Sequence, residues 1–139
     1  MPSFMLDRQV LVPPGYGERS CLLVKYRLPW LHHCFVLCHE PGAGVPSQTS
    51  PELAAFFMAQ AEELARAAVG DPQAFMLIHS GSSIRKRPSA HFHVFVVQRR
   101  WQKAWVYTIL GAKNFALAAY TALRALGRTL RADVQGKCK

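Results

Sequence analysis

One eight-residue segment, Ala90-His91-Phe92-His93-Val94-Phe95-Val96-Val97, constrains the fold of this chain more than any other. On a β-strand alternate residues share a face, so His91, His93 and Phe95 point one way and Phe92, Val94 and Val96 the other. The second set is apolar enough to lie on a core. The first sets two imidazoles side by side. Just upstream runs Gly81-Ser82-Ser83-Ile84-Arg85-Lys86-Arg87, a cationic loop that opens on glycine. A pair of imidazoles beside such a loop points to chemistry on a phosphate.

The flanking sequence supplies the rest of a sheet. Residues 1–19 end in the loop signal Pro13-Pro14-Gly15-Tyr16-Gly17. Cys21 to Leu28 and His33 to His39 read as strands about a Pro29-Trp30 turn, and 41–46 as a loop. A helix follows, with Ser50 as N-cap, Pro51 in the first helical position, Glu52 near the positive end of the dipole and Gly70 as the stop. Leu53, Phe57, Gln60, Leu64 and Ala68 recur at helical spacing. Phe75 to Ile78 is a short strand, then come the 81–88 loop and the His91 to Val97 strand. Trp105 to Leu110 reads as a further strand. A last helix is expected over about 114–132, with Phe115, Ala119, Leu126 and Leu130 toward the core and Arg124, Arg128 and Arg131 as a basic stripe. Tight connections between strands imply antiparallel pairing. The expected class is α+β: a mainly antiparallel sheet with one long central helix and a C-terminal helix, in one domain over 1–139 whose core spans about 20–110.

Charge is uneven. The chain carries +9 overall, yet twelve of its 17 Lys and Arg lie beyond Asp71, where Asp133 is the only acid. A one-sided basic half favours an anionic partner, whether nucleotide, nucleic acid or acidic lipid. Half of the residues are apolar and only 18% are charged, which excludes a disordered polyelectrolyte. No run reaches the ~18–20 uninterrupted apolar residues of a membrane span. The longest candidate, Ala104 to Leu123, is broken by Lys113 and Asn114.

Asp7 and Arg8 stand where a secretion signal needs its apolar region, so a cytoplasmic protein is expected. The cysteines Cys21, Cys34, Cys38 and Cys138 are then free thiols rather than a disulfide framework. Cys34, Cys38 and His39 resemble metal ligands on paper. On a strand, however, Cys34 and Cys38 lie ~13 Å apart at about 3.3 Å per residue. Two ligands of one zinc ion must each come within ~2.3 Å of it, so no metal site is expected.

The ordered set of segments resembles the histidine triad (HIT) superfamily over roughly residues 20–103. Its signature is His-φ-His-φ-His-φ-φ on a strand, where φ is apolar; the corresponding run here is His91-Phe92-His93-Val94-Phe95-Val96-Val97. His33-Cys34-Phe35-Val36-Leu37-Cys38-His39 is similar to the family's early strand. Ser50-Pro51-Glu52-Leu53 is similar to the start of its long helix, and Phe75-Met76-Leu77-Ile78-His79-Ser80-Gly81 to the strand before its phosphate loop. The resemblance implies a HIT-like fold that pairs into a homodimer. It also implies a nucleotide or nucleotide conjugate as ligand, and hydrolysis or nucleotidyl transfer through a covalent nucleotidyl-histidine. It implies no metal or other cofactor.

By motif position the resemblance makes His93 the nucleophile and His91 its neighbour. A neutral imidazole is a good nucleophile near neutrality, and a covalent intermediate divides one hard displacement into two easier ones. Ser82, Ser83, Arg85 and Ser89 are placed to hold phosphate oxygens. His39 stands where the family has a site-lining basic residue, and His79 where an asparagine serves the site. Phe95 takes the place of the third histidine and cannot donate a hydrogen bond. Transferase branches also lack that histidine but carry glutamine instead. Arg87-Pro88-Ser89 replaces the family's Gly-Gln-Ser/Thr, which leaves open a register shifted by one step, with Ser89, His91 and His93 as triad positions and His91 as nucleophile. Two functions therefore stand: an enzyme, or a degenerate HIT domain that binds nucleotide or nucleic acid without turnover. A third, a basic adaptor for nucleic acid or a membrane surface, rests on charge. His32 and His33 read as structural, and Trp101 and Trp105 as core or dimer contacts.

Overall fold

The computed structural model describes residues 5–42, 49–81 and 89–136, with side chains through 124. The chain divides into two compact units between Gln102 and Lys103. The first is α+β. Its strands β1 (Leu6–Leu11), β2 (Cys21–Leu28), β3 (Leu31–His39), β4 (Phe75–His79) and β5 (Ala90–Val96) form one sheet, with α1 (Pro51–Val69) between β3 and β4. The sheet order is β1-β2-β3-β5-β4, and each neighbouring pair is antiparallel. The imidazole-bearing strand β5 is thus an inner strand between β3 and β4.

α1 forms where its signals place it. Ser50 Oγ accepts from the Leu53 N–H at 3.2 Å, Pro51 opens the helix, and Gly70 ends it at φ 78 with its N–H on the Arg66 carbonyl at 2.8 Å. Phe57, Ala61 and Ala65, four residues apart, are fully buried, with Leu53, Leu64 and Ala68 at the borders of that stripe. They cover the sheet face made by Leu23, Phe35, Leu37, Phe92, Val94 and Val96. The Phe57 and Phe92 rings meet edge to face at 5.1 Å, the arrangement aromatic quadrupoles prefer. Gln60, also in the sequence pattern, instead accepts a 3.0 Å hydrogen bond from the Tyr16 hydroxyl. Burial raises the Tyr16 pKa to about 12.

Two elements differ from the sequence expectation. β1 was not expected; all six of its residues are exposed, so no apolar alternation marks it. It is held through main-chain pairing with β2. Trp105 to Leu110, expected as a strand, lies inside helix α2 (Arg100–Gly136), which begins well before the expected 114 and from Lys103 on forms the described part of the second unit. Trp105-Val106-Tyr107-Thr108-Ile109 has strand propensity, but nothing there breaks a helix, and local preference of this size is readily overridden. Phe115, expected to face the core, is 76% exposed. No helix among the described residues is long and apolar enough to cross a membrane. Cys21, Cys34 and Cys38 are not joined in disulfides, while Cys138 lies outside the described residues.

Candidate functional site

Residues directly opposite each other in antiparallel pairs share a face. β3 sets Cys38 opposite His91, Val36 opposite His93 and Cys34 opposite Phe95, and β4 sets Ile78 opposite His93 and Met76 opposite Phe95. The face of the sheet away from α1 therefore carries His91, His93 and Phe95 in one row, flanked by these aliphatic and thiol side chains. The alternation seen in the sequence holds. Val36, Ile78 and Cys38, which flank the imidazoles, were not singled out for this site beforehand. Their alternation within β3 and β4 was visible, but their place beside β5 depends on strand order.

The three rings are arranged in sequence. His91 and His93 lie edge to face with centroids 5.3 Å apart, and His93 lies nearly parallel to Phe95 at 6.2 Å. Burial is graded along the row. His91 and His93 are half-buried, whereas Phe95 is only 2% exposed. Beside Phe95, Cys34 is fully buried and Tyr26, its neighbour on β2, nearly so. Burial pushes the Cys34 thiol up to about 12 and raises Tyr26 well above its ordinary value, so both stay protonated near neutrality. Phe95 thus lies in a dry patch beside His93.

His91 is oriented by the main chain. Its Nδ1 lies 3.1 Å from the Ser89 carbonyl oxygen. A carbonyl can only accept, so Nδ1 carries the proton and the neutral ring keeps its lone pair on Nε2. Ser89 thereby reaches the site through its carbonyl. Ser82, Ser83 and Arg85 lie outside the described residues.

His79 and His39 stand on the other face. His79 pairs with Phe92 and His39 with Ala90, so both share the α1 side of the sheet rather than the row of His91 and His93. The His79 ring stacks on Phe92 with centroids at 4.1 Å, and its Nδ1 donates to the His91 carbonyl at 3.1 Å. Its Nε2 lies 3.5 Å from the Thr49 hydroxyl. This ties the segment before α1 to β4 and β5, and fixes the His91 peptide from behind. His79 and His39, expected as site-lining groups, therefore lie on the sheet face opposite the imidazole row.

The described residues contain no group of three or more His, Cys, Asp or Glu side chains that could hold a metal ion. What the arrangement offers is a tautomer-fixed imidazole that carries its lone pair on Nε2, a second imidazole against it, and an apolar floor. The chain matches no family model, no curated protein and no solved structure.

Proposed function

We propose that this protein is a HIT-like nucleotide-binding phosphohydrolase or nucleotidyl transferase that acts on a phosphoramidate or phosphoanhydride through one of the paired imidazoles. The observation that carries the reading is the pair itself: His91 and His93 adjoin on an otherwise apolar sheet face, with His91 Nδ1 held by the Ser89 carbonyl. Anchoring one ring nitrogen leaves the other basic and aimed, which is what an attacking imidazole needs. Attack of Nε2 on the α-phosphorus forms the N–P bond as the P–N or P–O bond to the leaving group breaks. Water or another acceptor then displaces the histidine and restores the lone pair. The second imidazole, when protonated, stabilises charge on the phosphoryl oxygens. The anchoring favours the register in which His91 is the nucleophile and His93 its partner.

A second reading is favoured by Phe95. Its burial leaves no third donor in the row, which suits a domain that binds nucleotide without turnover. Incubation with an adenosine phosphoramidate, followed by mass spectrometry without acid, separates the two. The enzyme reading predicts a nucleotidylated protein whose label is lost in His91→Ala and kept at a lower level in His93→Ala. The reverse pattern places the nucleophile at His93. Saturable nucleotide binding with no label in any variant supports the binding domain, and neither label nor binding rejects both readings.

A further inference from the structure

α2 carries an apolar stripe whose largest side chains are mostly exposed. At 3.6 residues per turn, Trp101, Trp105, Ala112, Phe115, Ala119 and Leu123 fall within an arc of about 80°. Trp101, Phe115 and Leu123 are 50%, 76% and 70% exposed. Buried Val106 and half-buried Leu110 and Leu117 lie across the helix from this stripe, while Trp105 and Ala119 within it are half-buried. A large exposed apolar strip on a helix marks a binding surface.

Charge identifies the occupant. Over Arg100–Gly136 the helix holds six Lys and Arg and one acid, Asp133. Arg100 on one side and Lys113 on the other lie about 110° from the centre of the stripe, and Arg124 lies about 130° from it, in line with Val106. All three are exposed. From there long basic side chains snorkel alongside an inserted apolar face to reach anionic head groups. A second copy of the helix fits poorly, because pairing would set two strongly basic helices against each other. A nucleic-acid backbone neutralises the bases but leaves Phe115 and Leu123 in water. The helix spans about 55 Å at ~1.5 Å per residue, yet is not apolar enough to cross a bilayer. A helix that is amphipathic, basic and rich in aromatic residues, but not membrane-spanning, lies in the interface.

We propose that α2 is an interfacial helix that docks this protein on anionic membrane surfaces, with the Trp101–Leu123 stripe in the acyl boundary and its flanking bases on the head groups. The proposal is independent of the chemistry assigned to His91 and His93.

The test is co-sedimentation of the full chain with vesicles of phosphatidylcholine, alone or mixed with phosphatidylglycerol, with tryptophan emission as a second readout. The protein pellets with the mixed vesicles and not with phosphatidylcholine alone, its emission shifts to the blue, and added salt releases it. Lys113→Gln and Arg124→Gln each weaken binding about fivefold. Phe115→Glu and Leu123→Glu each weaken it about tenfold or more, because each removes an apolar side chain from the acyl boundary. Both residues are exposed, so far-UV circular dichroism without vesicles stays unchanged in these variants. Failure of the folded wild-type protein to pellet with mixed vesicles overturns the proposal. So does oligonucleotide binding that needs Lys113 and Arg124 but not Phe115 or Leu123, since the surface then serves nucleic acid. Self-association abolished by Leu123→Glu, with no vesicle binding, assigns the stripe to a second copy.

Discussion

The two faces of β5 are built to different ends. On one, Phe92, Val94 and Val96 are buried beneath α1, and Phe57 closes on Phe92. On the other, the row runs from the dry patch of Phe95 and Cys34 to the half-buried His93 and His91. The same strand backbone serves a finished core and an unfinished surface. The difference teaches where chemistry can sit. Imidazoles pay little for their place at the half-buried end, while Phe95 and the α1 side give the rigid support that a positioned nucleophile requires.

The sharpest way to break the comparison is to damage the α1 side. Phe57→Ala removes a fully buried ring and is expected to cost about 3–5 kcal/mol, read by urea unfolding. A loss below ~1 kcal/mol would mean that α1 is not what holds the sheet. Next is Phe95→His, which writes a third histidine into the row. Because Phe95 is buried, the imidazole enters a dry patch, and the expected result is about 1–3 kcal/mol of lost stability with no gain in phosphoramidate turnover. Faster turnover would show that the row stays open to ligand as far as Phe95.

The smallest effect concerns pH. Burial, then Lys25, then His32 lower the His33 pKa. The unfolded chain therefore takes up a proton at His33 near pH 6.5, before the folded chain does. Stability falls as pH drops from about 6.5 toward the folded value, then levels off. His33→Gln should flatten that part of the stability profile slightly. A steeper acid loss in the variant would contradict the direction of the shift.

Much of the first unit was legible because its signals are local. Ser50, Pro51 and Gly70 bound α1, and alternation in Ala90–Val96 sorted His91, His93 and Phe95 onto one face. β1 was not legible, since its six exposed residues carry no pattern and only pairing with β2 defines it. The start of α2 was misread because aromatic and β-branched residues at 105–109 suit either state. Phe115 was misplaced for a related reason: an amphipathic helix announces that one face will be covered, not by what. In the site, the faces of His39 and His79 depended on registers with Ala90 and Phe92 that no single strand encodes. The burial of Phe95 depended likewise on Cys34 and Met76 from other strands.

The most direct test of the account is long-range proton–nitrogen NMR of the histidine side chains during titration with adenosine monophosphate. The account predicts the Nδ1–H tautomer at His91, and signals of His91 and His93 that shift together with saturation while those of His32 and His33 stay in place. An Nε2–H tautomer at His91, or unmoved His91 and His93 signals at saturating nucleotide, would contradict the claim that this imidazole pair is a nucleotide phosphate site.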